Sequence, residues 1–297
     1  MRVNNIGVRA HDFGQGEVAE IAHRIAQYPI KCVQLALTKS FPFIRAEPGQ
    51  ISPGFGNYVR DAFAQYNITI AVLGCYINPI HPDPVERELS LQRFEEHLIF
   101  ARDFGCAIVG TETGSRNADC TYHPDNASQA AFDELVVSIK RLTKVAERHG
   151  VFVGIEGVAH QHVINNYPRM TALLNAVNSP NLKVIYDPVN FYPNKSNIDQ
   201  PQLIDDAFSA FGNAIVAIHC KDFVKKEHGK SVDLASGTGD MDHAYLLNVL
   251  KQKKPHIHVI LENTDEKSIQ AVLAYISRAA LNTECTGDIT DSGSRAT

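Results

Sequence analysis

Residues 151–156 read Val-Phe-Val-Gly-Ile-Glu, a short apolar run that stops on a carboxylate. A run of this length and β-branched content reads as a strand buried on both faces, and the charge at its end must sit where the sheet meets solvent. Three later segments repeat the pattern: Lys-Val-Ile-Tyr-Asp at 183–187, Ala-Ile-Val-Ala-Ile-His at 214–219 and His-Val-Ile-Leu-Glu at 258–262. Their last residues, Glu156, Asp187, His219 and Glu262, lie 31, 32 and 43 positions apart, the rhythm of a strand, a helix and two loops. Four such ends on consecutive parallel strands converge on one rim. That makes them a candidate metal site of three carboxylates and one imidazole.

Working outward, similar apolar segments occur at 5–9, 31–37, 68–75 and 107–111, which brings the strand count to eight. The stretches between them carry helical periodicity. In 86–104, Leu91, Phe94, Leu98 and Ala101 recur at three and four, and Gly105 follows as a stop. In 128–149, Phe132, Leu135, Val136, Ile139, Leu142 and Ala146 do the same before Gly150, and Asn166 with Pro168 opens a further helix. Helical patterns also cover 15–27, 55–66, 201–211, 241–252 and 266–281. Alternation repeated eight times predicts parallel strands with right-handed crossovers, and a closed (β/α)8 TIM barrel fits better than an open doubly wound sheet. The open sheet would announce itself by a Gly-rich loop after its first strand. Here that loop reads Arg9-Ala10-His11-Asp12-Phe13-Gly14-Gln15-Gly16, without the full motif, and Gly237 and Gly239 in Ser-Gly-Thr-Gly-Asp read as a loop turn. A single domain over 1–281, followed by a small polar tail at 282–297, is expected.

The bulk properties exclude several classes. A net charge of −5 with a pI near 6.2 argues against a nucleic-acid partner or a polybasic membrane anchor. The N-terminus lacks an apolar signal region and no apolar stretch is long enough to span a bilayer, so a cytoplasmic protein with no membrane partner is expected. The six cysteines (32, 75, 106, 120, 220, 285) show no Cys-x-x-Cys pair, and those in apolar strands read as small buried thiols of a reducing compartment.

The order and spacing of five elements carry a resemblance. Gly-Ile-Glu at 154–156, Tyr-Asp-Pro-Val-Asn at 186–190, His-Cys-Lys-Asp at 219–222, Gly-Thr-Gly-Asp-Met-Asp at 237–242 and Leu-Glu-Asn at 261–263 resemble the sugar-phosphate isomerase/epimerase superfamily with the xylose-isomerase-like barrel. The resemblance implies that Glu156, Asp187, His219 and Glu262 hold one divalent cation at the C-terminal face. It implies further that Glu156 and Glu262 double as the acid/base pair, with Asp187 and His219 as ligands only. The oxygen-rich donor set itself suits Mn2+ first, with Mg2+, Co2+ and Zn2+ also compatible. A cation so placed stabilises the enediolate left when a proton leaves carbon, and the proton is then returned elsewhere.

The expected function is therefore a metal-dependent isomerase or epimerase of a sugar or related polyhydroxy carbonyl compound. The family's dimers and tetramers imply a homodimer or homotetramer. Glu112, ending the fourth strand, is a candidate substrate contact, with a salt bridge to a neighbouring loop as the alternative; Lys221 of His-Cys-Lys-Asp is another, whose alternative is an ion pair with Asp222 or another carboxylate. His81 could line the pocket or lie solvated. The ketose 3-epimerase branch has an acidic residue, a His and an Arg where this chain has His162, Asn190 and Lys225. The first two are kept as substrate-binding candidates, and the departures speak against a free-ketose 3-epimerase. Lys225, Lys226 and Lys230 read as a solvated charged loop that could meet an anion. The rivals are an inosose-type dehydratase on the same barrel, an apurinic-site endonuclease, which would need a His where Asn190 stands, and a barrel that binds without turnover.

Overall fold

The computed structural model describes residues 5–192, 199–225 and 231–282. Eight parallel strands close into a barrel: β1 (Ile6–Arg9), β2 (Cys32–Ala36), β3 (Thr69–Gly74), β4 (Ile108–Glu112), β5 (Phe152–Glu156), β6 (Leu182–Tyr186), β7 (Ile215–Cys220) and β10 (His258–Leu261). Each pairs with its neighbours in sequence, and β1 closes on β10 through Ile6↔Val259, Gly7↔Ile260 and Val8↔Leu261. The expected fold class is therefore the observed one.

The helices α1 (Val18–Ile25), α3 (Pro53–Ala64), α4 (Pro84–Phe100), α5 (Gln129–His149), α6 (Tyr167–Val177), α7 (Gln200–Phe211), α8 (His243–Lys253) and α9 (Ile269–Asn282) fall between strands or close the chain. Their ends follow local chemistry. The Ser128 hydroxyl accepts from the Ala131 amide at 3.1 Å to open α5, and Gly150 (φ 64°) closes it in the left-handed conformation. Asn166 accepts from the Arg169 amide at 2.8 Å, with Pro168 fixing the first turn of α6. His81, for which lining the pocket and lying solvated are both open from sequence, accepts from the Asp83 amide at 3.1 Å beside the start of α4.

Among the described residues, a short helix and a hairpin, besides single 3-10 turns, lie outside the eightfold pattern. A one-turn helix α2 (Leu37–Ser40) follows β2, and an antiparallel hairpin of β8 (Asp222–Lys225) and β9 (Ser231–Leu234) stands between β7 and α8. Lys226, Lys230, the Lys225 side chain and the expected tail beyond Asn282 lie outside the described residues. Among the described residues, no helix is long and apolar enough to cross a membrane.

The core has two layers. The barrel interior is filled by Val72, Ile108, Ile185 and Ala217, with Cys32, Ala71 and Ile260 beside them. A Cβ at Gly110 would stand 2.8 Å from Ile185 Cδ1 and 2.9 Å from Val72 Cγ1, so the strand needs glycine where these side chains meet. The outer layer packs the apolar faces of the helices, among them Phe63, Phe94, Leu135, Ile139, Leu173, Ile204 and Leu246, against the barrel wall. Cys32, Cys75, Cys106 and Cys220 are buried free thiols within these layers.

One outer-layer group should make stability pH-dependent. His97 of α4 is buried, bonds through Nδ1 to the Arg93 carbonyl at 2.8 Å, and is held down to about 4, chiefly by burial. Its folded value lies below its unfolded one, so the unfolded chain takes up the proton first. Stability should fall as pH drops from 6.5 towards 4, by about 3 kcal/mol from this residue. Urea unfolding of wild type and His97→Gln at pH 7 and pH 5 checks this. The variant should lose less stability on acidification, and an equal loss refutes the assignment.

Candidate metal centre

The strand ends bring the four predicted ligands together. Glu156 is the last residue of β5, Asp187 follows β6, His219 lies near the end of β7 and Glu262 follows β10. One donor atom from each lies within 4.8 Å of all the others, and all four residues are buried.

Hydrogen bonds fix each donor. Asp187 Oδ1 accepts from the Val189 amide at 2.8 Å and the Asn190 amide at 3.2 Å, which locks the carboxylate against the short turn after β6. Its Oδ2 is buried and accepts no well-formed hydrogen bond, although Lys221 Nζ lies 3.0 Å away. His219 Nε2 faces Gln34 Oε1 at 2.8 Å, and the Gln34 amide nitrogen donates to the Tyr76 hydroxyl at 2.7 Å. That chain assigns the Nε2 proton towards Gln34 and turns Nδ1 into the cluster. Nδ1 stands 3.0 Å from Glu156 Oε1 and 3.2 Å from Glu262 Oε1.

The electrostatics are those of carboxylates crowded together out of water. Burial pushes the Asp187 carboxyl up to about 6 against the pull of Lys221. Burial lowers His219, but the carboxylates of Glu156 and Glu262 outweigh it and hold the imidazole up at about 9. Burial likewise opposes ionisation of Glu262, yet His219, Lys221 and Arg9 bring it down to about 2. Protein cations thus crowd a space framed by three carboxylates, and one buried carboxylate oxygen has no proper donor. These residues fit a divalent cation on donor chemistry, proximity and that orphaned oxygen alike.

Above the cluster opens a cavity of about 190 Å³, walled by Arg9, Lys39, Tyr76, Glu112, Val158, Gln161, Asn190, Lys221 and Asp233. Glu156 and Glu262 reach this wall, whereas Asp187 and His219 lie beneath it. Of the four residues expected to meet substrate, Glu112, Asn190 and Lys221 line the cavity. Glu112 pairs in register with Glu156 across β4 and β5, and burial together with Glu156 and Glu262 pushes its carboxyl up to about 7. The Asn190 amide donates to Glu156 Oε1 at 2.7 Å, and its Oδ1 accepts from Lys221 Nζ at 2.7 Å.

His162 is placed otherwise. Its Nε2 bonds to the Cys120 carbonyl at 3.1 Å and lies 3.6 Å from Oε2 of the wall residue Glu112, so the ring backs the wall while its neighbour Gln161 faces the cavity. The other nitrogen, Nδ1, is buried without a partner. The alternative for Lys221, an ion pair with a carboxylate, is present as well, with partners other than Asp222. Lys221 pairs with Asp187, Asp233 and Glu262, while Asp222, among the described residues, accepts from the Phe223, Gly237, Thr238 and Met241 backbone amides.

Sequence reading missed Arg9, Gln34, Lys39, Tyr76, Gln161 and Asp233. Arg9 carried the same signal as the ligands, a charge closing the apolar run Ile-Gly-Val-Arg. Its Nη1 lies 3.2 Å from Glu262 Oε1, and Asp12 and Asn263 hold the rest of the guanidinium. Gln34 was visible as a lone polar residue inside the apolar run Cys-Val-Gln-Leu-Ala. Lys39 sits on α2, with Nζ 4.0 Å from the centroid of the Tyr76 ring.

A closed eight-stranded parallel barrel with a buried carboxylate and imidazole cluster under a polar cavity defines the class of protein. The chain belongs to the xylose isomerase-like TIM barrel family, whose pattern it matches over residues 22–279. Among solved structures, a xylose isomerase domain protein from Planctomyces limnophilus superposes with a TM-score of 0.69 at 20% identity, over 95% of this chain and 98% of that one. A D-tagatose 3-epimerase-like protein gives 0.73 at 14% identity, over 94% and 98%. The probable 3-DHS dehydratase from Bacillus anthracis gives 0.67 at 15%, over 96% and 100%. At such identities the likeness is one of fold. No curated protein matches the chain.

Proposed function

We infer that this chain is a divalent-metal-dependent isomerase or epimerase of a sugar or related polyhydroxy carbonyl compound. The observation that carries the reading is the division within the cluster. Only Glu156 and Glu262 among the four open onto the cavity, so only they can meet a substrate carbon. Two carboxylates facing one polar cavity can take a proton from one position and return one to another. Asp187 and His219, beneath, would hold the ion. Mn2+ suits the set best, and Mg2+, Co2+ or Zn2+ would also be accepted. When bound, the ion supplies the positive charge that lowers the cost of an enediolate.

The chain's own residues supply the rest. Arg9 holds Glu262 from the β1 side, and Asn190 holds Glu156 from the β6 side. Each carboxylate is thereby aimed without being buried away from the cavity. Lys221 and Asn190 present donors for substrate hydroxyl or carbonyl oxygens. Glu112 offers a third carboxyl on the wall, which also supports a second reading, a dehydratase that expels a hydroxyl from the same enediolate.

Incubation with a panel of ketoses and inososes in deuterated water, read by NMR, tests both. Deuterium incorporated at carbon with an isomerised or epimerised product supports the first reading, and loss of a hydroxyl supports the second. Chelator treatment should remove the activity and Mn2+ should restore it. Turnover that survives complete metal removal overturns the proposal.

A further inference from the structure

Lys221 is an unusual neighbour for a metal site. Its side chain is almost wholly buried, and Nζ has four oxygen partners: Asn190 Oδ1 at 2.7 Å, Asp187 Oδ2 at 3.0 Å, Asp233 Oδ2 at 3.0 Å and Glu262 Oε2 at 3.4 Å. An ammonium has three protons and cannot serve four acceptors equally. The partners fall into two groups. Asp187 and Glu262 belong to the ligand set, and Asp187 Oδ2 is the buried oxygen without a well-formed hydrogen bond. Asp233 is half exposed, comes from the β8–β9 hairpin and stands on the cavity wall. Asn190 bridges the two, since its amide also donates to Glu156.

The other basic group on the cluster is not arranged in this way. Arg9 touches Glu262 but has its own carboxylate in Asp12, at 2.9 Å, and its own amide in Asn263. Lys221, outside the ligand set, thus touches two ligand carboxylates, Asp187 and Glu262, where Arg9 touches only Glu262. The hairpin holds a carboxylate ready on its far side. That position is built into the fold: Asp222, at the base of the hairpin, accepts from the Phe223, Gly237, Thr238 and Met241 amides, which pins the loop that follows β9 to the start of β8.

We propose that Lys221 is the resident counter-cation of the metal centre, neutralising Asp187 and Glu262 until a divalent ion displaces its charge onto Asp233 and Asn190. The inference rests on the metal-centre reading above and adds to it how the centre is regulated. Two consequences follow. The ammonium and the ion compete, so metal affinity is set below what the four ligands alone would give. Loading also turns Lys221 from a partner of the ligands into a donor on the cavity wall, so the site binds an anionic or enolic oxygen well only when it holds metal. Asp233 is a positioning residue in this scheme, acting through Lys221.

The test uses Mn2+ alone as the probe, with the full chain and calorimetric or spin-resonance titration. Lys221→Met should bind Mn2+ about tenfold more tightly than wild type, because the competing charge is gone. Asp233→Asn should bind it about threefold more weakly, because Lys221 loses the partner that receives it. In the Lys221→Met background, Asp233→Asn should have at most half its effect on the logarithm of affinity. A merely structural role for the pair would weaken binding in both single variants. Lys221→Gln serves should the Met variant fail to fold, and Lys221→Arg, which keeps the charge, should not tighten binding. Mn2+ binding by wild type with no gain in Lys221→Met or Lys221→Gln overturns this inference alone. No Mn2+ binding by wild type overturns it together with the metal-centre reading.

Discussion

Glu156→Gln and Glu262→Gln should each lower turnover by about 10³-fold at saturating metal, within the range general acid–base groups contribute. An amide occupies the same space and can still offer an oxygen to a cation, but it cannot take a proton from carbon. Asp187→Asn and His219→Ala should behave differently. Neither side chain reaches the cavity, so their loss acts through metal occupancy, and excess Mn2+ should restore much of the activity. His219→Ala should be the harder to rescue, because it removes a ligand outright and also leaves Gln34 Oε1 without its partner. The measurement is turnover against Mn2+ concentration, with bound metal determined on the same samples. A Glu156→Gln or Glu262→Gln enzyme that is fully loaded and fully active would remove that residue from the proton-transfer pair. Full recovery of both by metal would reduce all four residues to ligands.

The features legible in the sequence share one physical cause. A strand buried on both faces has to be apolar, so the residue at which its run stops is conspicuous, and Glu156, Asp187, His219 and Glu262 were found in that way. The barrel followed from the same runs, because eight of them alternate with helical periodicity.

The features that escaped depend on direction rather than composition. Lys221 and Asp222 are neighbours, and side chains of successive residues in extended chain point to opposite sides. One therefore turns into the cluster and the other into the loop of Gly237 and Gly239, and no ion pair between them forms. His162 and Gln161 show the same effect in an irregular loop. Gly157 packs where a Cβ would be 2.3 Å from Phe191 Cζ, and the turn that follows it presents Gln161 to the cavity and His162 to the Cys120 carbonyl. A family position counted from Glu156 reaches His162, but the backbone path decides which side chain meets the cavity. The hairpin was hidden because its strands are four residues each and flank a charged stretch, which carries no alternation strong enough to read.

Asp222→Ala should lower the stability of the chain by about 4 kcal/mol, the largest loss expected from any single truncation at the rim. The carboxylate is buried and accepts four amides: Phe223 and Met241 at 2.9 Å on Oδ1, and Gly237 and Thr238 at 2.9 and 3.1 Å on Oδ2. Removing it leaves donors in a loop that cannot rearrange freely. Gly237 sits at φ 89° under the Tyr275 ring, and Gly239 packs so closely that a Cβ would be 2.3 Å from the Phe223 carbonyl oxygen. Asp222→Asn keeps one acceptor oxygen and should cost about half as much. Urea denaturation of the three proteins measures the difference. The same variants should weaken Mn2+ binding, although Asp222 touches none of the four ligands. Its loop carries β8 and, through the hairpin, sets where Asp233 meets Lys221. Metal affinity and stability should therefore fall together in Asp222→Ala. In Asp233→Asn, affinity should fall while the urea midpoint stays close to wild type. An Asp222→Ala protein as stable as wild type would show that the loop finds other acceptors. The hairpin could then not be what fixes the ammonium at the edge of the metal centre.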